Sequence, residues 1–247
     1  MRDETSYRII APYYDWIMAH VDYDAWGRHL AKLWRKYGSE PTSILELGAG
    51  TCPFARREVY PSTAKVVYTD LSPFMLTQAH DIHSIQRVAA NALALPFRSR
   101  FQLCVMIYDA INYLIEDQDL RTTLNQVHQV LEKRGLFIFD ITTAENSRRH
   151  FHQAIDFGEL EGCTYFRESS FDKETRIQNN DFIFFVEGEK DCWGKVKESH
   201  QQRIFEIEHI KALAEESDFV VEAVLEGFTF RTGKETSERV HFVLRKK

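Results

Sequence analysis

The chain has 247 residues, 44% hydrophobic and 28% charged, with a formal net charge of −6. That length supports one generous core with a single elaboration, and the scattered Lys and Arg residues argue against a nucleic-acid partner. No run approaches the roughly 18 apolar residues of a membrane span, and the first residues, with Asp3, Glu4 and Arg8, lack the basic flank and apolar stretch of a signal peptide, so no membrane partner and a cytoplasmic location are expected.

Residues 1 to 40, with Trp16, Trp26 and Trp34, read as helices laid against the core. From residue 42 strand-like and helix-like patterns alternate. SILEL (43 to 47), KVVYTD (65 to 70), QRVAAN (86 to 91), QLCVMIY (102 to 108) and GLFIFDI (135 to 141) are short runs rich in Val, Ile and Phe. The last two are almost wholly apolar, as parallel strands covered on both faces should be. SPFMLTQAHDIH (72 to 83) and DQDLRTTLNQVHQVLEKRG (117 to 135) read as helices, the second with Leu120, Leu124, Val127 and Leu131 three or four apart and Gly135 as its stop. Such β-α-β repetition implies an α/β fold, a Rossmann-like doubly wound sheet.

After Asn146 the texture changes. TYFRESSFD, TRIQNNDFIFFVEG and KVKESHQQRIF alternate polar with aromatic or β-branched residues and are parted by the DKE and EKD clusters, which indicates a small antiparallel β insert burying one face. A helix resumes at EIEHIKALAEESDF, and VVEAVLEGFTF and RVHFVLRK close the chain as strands, with Arg245, Lys246 and Lys247 as a solvated tail. The expected division is therefore 1–145 for the N-terminal helices and cofactor-binding core, 146–204 for the insert, and 205–247 for the elements completing the core. Cys52, Cys104, Cys163 and Cys192 are widely spaced and unpaired in pattern, so reduced thiols are expected and no metal site.

Chemistry enters at ELGAGTCPF. Gly48 and Gly50 stand where a buried strand stops, and glycines there permit positive φ and close approach of a ligand to the backbone. Asp70 ends the next strand, 20 residues beyond Gly50, the spacing at which a carboxylate reaches ribose hydroxyls. The plainer alternative is that the glycines cap a strand and Asp70 caps the helix starting at Ser72. In the dinucleotide fingerprint a third glycine admits a pyrophosphate to the helix N-terminus; here that place is held by Pro53, which has no N–H. Glu46 would repel a diphosphate but suits a cofactor carrying ammonium and sulfonium charges. The constellation prefers a cationic, phosphate-free adenosine compound.

These residues resemble the class I S-adenosylmethionine-dependent methyltransferases, whose first motif is E/D-x-G-x-G-x-G. It stands here as Glu46, Gly48 and Gly50 with Cys52 in place of the third glycine. The resemblance runs through YTDLSPFML, where it implies that Asp70 binds ribose and that Leu71 and Met75 flank adenine, and into NALALPF, where Asn91 replaces the usual Asp and the backbone of Ala92 offers a second adenine contact. QLCVMIYDAINYL is similar to the fourth strand and the loop after it, which would set Tyr108 and Asp109 by the transferred methyl group. More narrowly, SYRIIAPYYDWIM, the aromatic insert and the closing SERVHFVLRK resemble a subgroup that includes sugar-amine N-methyltransferases. The resemblance implies S-adenosyl-L-methionine as cofactor, a small-molecule acceptor bearing an amine nitrogen, and Tyr7 and Tyr14 closing the site.

Each candidate has a plain alternative. Tyr7 and Tyr14 can be aromatic staples fixing a helix to the core. Asp109 can cap the helix after Asn112 rather than orient an amine or take its proton. Asp140, ending another strand, can be a rim residue that caps the next segment. If KVKESHQQRIF is extended, Glu198, His200 and Gln202 share a face, so His200 can point into the site as a base, although solvent exposure of that face is the more ordinary expectation. DFIFFV can line a pocket or an oligomer contact, core packing being more ordinary, and exposed aromatics on the insert make a homodimer plausible. Two other functions fit parts of the pattern: a nicotinamide-dependent oxidoreductase and a non-catalytic protein retaining the fold.

Overall fold

A computed structural model of the protein describes residues 7–82, 84–98, 100–188 and 192–247; His83 of the first expected helix and the EKD turn lie outside the described residues. After a 3-10 turn at Ala11–Tyr13 come α1 (Tyr14–Ile17), α2 (Tyr23–Tyr37), β1 (Ser43–Leu47), α3 (Pro53–Arg56), β2 (Lys65–Asp70), α4 (Pro73–Thr77), β3 (Gln86–Ala89), β4 (Phe101–Met106), a second 3-10 turn at Ala110–Tyr113, α5 (Asp117–Val130) and β5 (Leu131–Thr142). The chain continues through α6 (Ala144–His150), β6 (Ala154–Leu160), β7 (Cys163–Asp172), β8 (Ile177–Glu187), β9 (Trp193–Arg203), α7 (Ile207–Glu216), β10 (Phe219–Glu226) and β11 (Arg239–Lys246).

The main sheet has the order β3-β2-β1-β4-β5-β11-β10. Strands β1 to β5 run parallel, and β11 pairs antiparallel with both β5 and β10. Alternate residues of β5 explain why the sheet needs cover on both sides. Phe137 and Phe139 pack with Leu120 and Leu124 of α5 and Ile210 of α7, whereas Ile138 faces Leu33 and Trp34 of α2 and Phe54 of α3. Burying each such side chain is worth roughly 1.5–3 kcal/mol, so the double cover fixes the register of β5. Helix α2 starts where the Asp22 carboxylate accepts the Ala25 N–H at 2.8 Å and turns Trp26, Leu30, Leu33 and Trp34 inward.

The second sheet is an antiparallel meander, β6-β7-β8-β9. Its inner face carries Tyr165, Phe182 and Phe184, which pack against Ile10, Tyr13 and Trp16 of the N-terminal segment. Its outer face leaves Ile155 76% and Phe157 72% exposed.

Several expectations are corrected by packing. Helix α5 ends at Val130, and Leu131 and Gly135 belong to β5, because Leu131 pairs with Phe101 across an irregularity in the β4–β5 ladder. The helix expected from Ser72 lasts only to Thr77; beyond it Arg56 takes the Gln78 carbonyl at 2.7 Å and pairs with Asp81 at 3.0 Å. Strand β6 escaped notice because its apolar Ile155 and Phe157 face outward. The terminal basic cluster is no solvated tail, since Arg245 pairs with Glu222 and Lys246 Nζ donates to the Leu131 carbonyl at 2.9 Å. Asp140 is not a cap but a wholly buried residue within β5.

The strand order reverses between β1 and β4. The turn after β1, the end of β2, the loop after β4 and the end of β5 all open at the same edge, which is where ligands settle in open α/β sheets.

Candidate active site

One end of the site is made of main chain. Gly48 and Gly50 have φ of +66° and +55°, and a Cβ would come within 2.9 Å of Ala110 Cβ at Gly48 and 3.3 Å of Met75 Cε at Gly50, so this backbone is kept bare. Cys52, at the place of the missing third glycine, keeps the left-handed conformation with φ 57° and is fully buried, and Pro53 opens α3 directly after it. Asp70 ties the turn to the next strand. Its Oδ2 accepts the Gly50 N–H and its Oδ1 the Ser72 N–H, each at 2.8 Å. The Ser72 bond fits the plainer alternative for Asp70, and a carboxylate still has lone pairs left after two backbone bonds. Burial raises the Asp70 carboxyl above its ordinary value, against the pull of the Ser72, Gly50 and Leu71 N–H groups.

Glu46 lies beneath this turn, buried on β1, and accepts the Tyr60 hydroxyl at 2.7 Å. Burial pushes its carboxyl up to about 8 although the Tyr60 bond works the other way. Met75 is buried and Leu71 half-buried beside the turn. Asn91 and Ala92 sit on the turn after β3, joined to β2 by the Ala90 N–H on the Asp70 carbonyl at 2.9 Å. Asn91 is exposed; its Oδ1 accepts the Leu93 N–H at 2.9 Å, leaving its amide to donate outward.

The other end is made of side chains. Tyr108 and Asp109 follow β4 with φ of 60° and 50°, two consecutive non-glycine residues in the left-handed region. Such conformations cost on the order of 1–3 kcal/mol each and persist only where their surroundings hold them. Here Asp109 Oδ1 pairs with Arg239 Nη1 at 2.8 Å, Asp109 Oδ2 accepts from Gln202 Nε2 at 2.5 Å, and the Asp109 N–H donates to Asp140 Oδ2 at 3.0 Å. The same Arg239 Nη1 also pairs with Asp140 Oδ2, and the guanidinium lies 5.2 Å from the ring centroids of Trp26 and Tyr108. Among the described residues Asp140 Oδ1 has no hydrogen-bond partner. Asp109 occupies the N-cap position of the 3-10 turn after it, but its side chain makes no cap bond, so the capping alternative is set aside. Burial raises both carboxyls, with Arg239 opposing it.

The N-terminal segment closes over this rim. Glu198 of β9 accepts the N–H groups of Tyr7, Ile9 and Ile10, the last two at 3.1 Å. Tyr7 donates its hydroxyl to Tyr113 at 2.5 Å, and its ring lies 4.4 Å from that of His200 and 5.9 Å from that of Tyr14. Burial, with Tyr113, Tyr14 and Asp70 adding to it, holds the Tyr7 phenol well above its ordinary value. Burial also raises Tyr14, beside Tyr23, Tyr113, Tyr108 and Asp109. The expected solvent exposure of the Glu198, His200 and Gln202 face is overturned: His200 is 6% and Gln202 4% exposed, the first under the Tyr7 ring and the second against Asp109 and Gln178. His200 Nε2 stands 3.2 Å from Glu198 Oε1.

The structure thus brings Tyr7, Tyr14, Tyr108, Asp109 and His200 together at one end and Glu46, Gly48, Gly50, Asp70, Leu71 and Met75 at the other, with Tyr7 near enough to Asp70 to feel its charge. Sequence reasoning missed Arg239 and Tyr113. The signal for Arg239 was a single cation at the head of the apolar strand RVHFVL; Tyr113 carried none. Among the described residues no group of three His, Cys, Asp or Glu side chains is placed to hold a metal ion, and no helix is long and apolar enough to cross a membrane.

Residues 44–135 match the methyltransferase-domain family. A protein of Geobacillus sp. (strain WCH70) named as a methyltransferase is 30% identical over 247 residues, covering 98% of this chain and all of that one. An S-adenosylmethionine-dependent methyltransferase from Clostridium acetobutylicum ATCC 824 superposes with a TM-score of 0.81 at 21% identity, over 97% of this chain and 98% of its own. The sugar N-methyltransferase KedS8 from Streptoalloteichus sp ATCC 53650 does so with a TM-score of 0.75 at 16% identity, over 94% and 91%. The nicotinamide alternative falls with these findings.

Proposed function

We propose that this chain, which belongs to the methyltransferase family and draws its methyl group from S-adenosylmethionine, passes that group to an amine nitrogen of a small molecule. The observation that carries the acceptor class is the rim after β4 and β5. Two buried carboxylates, Asp109 and Asp140, share one guanidinium there, Asp140 Oδ1 makes no hydrogen bond among the described residues, and Tyr14, Tyr23 and Tyr108 lie close to Asp109. Buried carboxylates in excess over the cation beside them, with tyrosines close by, are the complement of an amine or ammonium. The N-methyltransferase named above supports the same class by likeness of fold.

The residues present fit the adenosyl cofactor. The bare backbone at Gly48 and Gly50 leaves room beside Ala110 and Met75 that side chains would fill, and Asp70 offers its remaining lone pairs next to it. Glu46 would hold the methionine part, Asp70 the ribose, Met75 and Leu71 the faces of the adenine, and Asn91 with the Ala92 backbone its edge. When bound, this cofactor supplies a methyl group on a positively charged sulfur.

The remaining work belongs to the protein. Tyr7 and Tyr14 exclude water, and Asp109 aligns the nitrogen and accepts its proton once the nitrogen lone pair has formed the new bond. Burial, opposed by Arg239, leaves Asp109 more basic than an exposed carboxylate, which suits that task. His200, set between Glu198 and the Tyr7 ring, steadies the cover. Alignment alone is worth on the order of 7 kcal/mol in well-oriented systems, so no strong base is needed. The exposed Ile155, Phe157 and Phe166 support the dimer reading, and sedimentation of the full chain as a monomer would remove it.

Screening small amines, carboxylates and phenols with methyl-labelled cofactor tests the acceptor. Label on amines supports the reading; label only on oxygen acids, or on none, overturns it.

A further inference from the structure

We propose that Arg239 is a positioning residue for methyl transfer, one that fixes Asp109 and Tyr108 against the acceptor without touching the acceptor itself. The inference rests on the acceptor lying at the Asp109 rim. Its ground is the geometry of one guanidinium. Arg239 is the first residue of β11 and opposes Thr142 at the end of β5. From there it bridges Asp109 and Asp140, two residues 31 apart in sequence, while its guanidinium carbon lies 5.2 Å from the ring centroids of both Trp26 of α2 and Tyr108. Tyr108 in turn packs on Trp26 at 5.5 Å and Tyr23 at 6.2 Å.

Nothing local explains why Tyr108 and Asp109 both adopt left-handed backbone. The 3-10 turn after them has no side-chain cap from Asp109, and neither residue is a glycine. The bridge supplies the missing restraint. With both Asp109 oxygens assigned, one to Arg239 and one to Gln202, the carboxylate is held in one orientation, and each oxygen keeps a lone pair for an acceptor nitrogen. A lysine keeps the charge but not the shape: its ammonium is a compact, strongly hydrated point charge on a flexible stem, without the planar guanidinium that stacks on aromatic rings.

The groups facing Asp109 are Asp140 from β5, Arg239 from β11, Tyr14 from α1, Tyr23 from α2 and its neighbour Tyr108. Arg239 is the cation among them. Removing it leaves the two carboxyls with burial and each other, both of which favour the protonated form. Their titration and the acidic limb of the rate profile must then move to higher pH.

The test compares wild type, Arg239→Met and Arg239→Lys in the full chain. Carboxyl-carbon NMR titration, assigned with Asp109→Asn and Asp140→Asn, should show the pair moving up by about one pH unit or more in Arg239→Met and much less in Arg239→Lys. With an amine that the wild type methylates, the acceptor KM should rise about tenfold in both variants, while S-adenosylhomocysteine affinity stays within about threefold. An unmoved carboxyl titration in Arg239→Met, or an equal loss of S-adenosylhomocysteine affinity, overturns the proposal. If Arg239→Met does not fold, Arg239→Lys decides through its KM: a value equal to wild type overturns the proposal. If the wild type methylates no amine, the acceptor reading fails while the titration still judges Arg239.

Discussion

The two ends of the site are built by different means. At the proposed cofactor end Gly48, Gly50 and Asp70 lie within 23 residues of one another, with Asp70 accepting backbone N–H groups. At the proposed acceptor end Glu198 holds the Tyr7 N–H across 191 residues, while Gln202 holds Asp109 across 93 and Arg239 holds Asp140 across 99 through side chains on both partners. A site cut from one β-α-β unit is fixed as soon as that unit folds. One stitched from the N-terminal segment, the second sheet and the last strand exists only when everything else is in place, and it can change its acceptor by changing single side chains.

Variants can break or sharpen that contrast. The largest effect is expected at Asp70→Ala, where loss of charge-assisted bonds of roughly 1.5–3 kcal/mol should weaken S-adenosylhomocysteine binding about 10- to 150-fold in calorimetry. An unchanged affinity would take Asp70 out of the cofactor end.

Next comes Glu46→Gln. Because the folded carboxyl sits near 8 against an ordinary 4.5, the native state holds a proton that the unfolded chain has lost. Wild-type stability should therefore fall as pH rises from about 4.5 through 8. The glutamine, still able to accept from Tyr60, should be more stable than wild type at alkaline pH by on the order of 1–3 kcal/mol and nearly equal to it in mild acid. Urea unfolding at several pH values reads this directly, and a constant difference across pH would contradict it.

A smaller change is expected at Glu198→Ala, which strips the N–H groups of Tyr7, Ile9 and Ile10 of their acceptor. Acceptor kcat/KM should fall about tenfold, with cofactor affinity less affected. If cofactor affinity fell as far as in Asp70→Ala, the two ends would not be separable. The mildest is Tyr113→Phe, whose lost bond to Tyr7 is worth about 1 kcal/mol and should lower acceptor kcat/KM by roughly fivefold without touching cofactor binding.

The contrast also explains what could be read from the sequence. The parallel core was legible because β4 and β5 are apolar on both faces, and the left-handed glycine turn beside Asp70 because Gly48, Gly50 and Asp70 keep a fixed local spacing. Strand β6 was not, since Ile155 and Phe157 point to solvent where a buried face was sought. His200 and Gln202 gave the right periodicity and the wrong side: Tyr7, almost two hundred residues earlier, covers His200, and Asp109, 93 residues earlier, meets Gln202. Arg239 stood in plain view at the head of β11, but its partners are set by the folded sheet order, which places β11 beside β5 and so beside Asp140.

The central claim is that cofactor and acceptor meet between the bare glycine turn and the Asp109 rim. A crystal structure of the chain with S-adenosylhomocysteine tests it most directly. The ribose hydroxyls should lie within hydrogen-bond distance of Asp70 and the sulfur should face the space enclosed by Tyr7, Tyr14 and Asp109. A ligand seated with its sulfur directed away from that rim, or bound without contact to Asp70, would contradict the account.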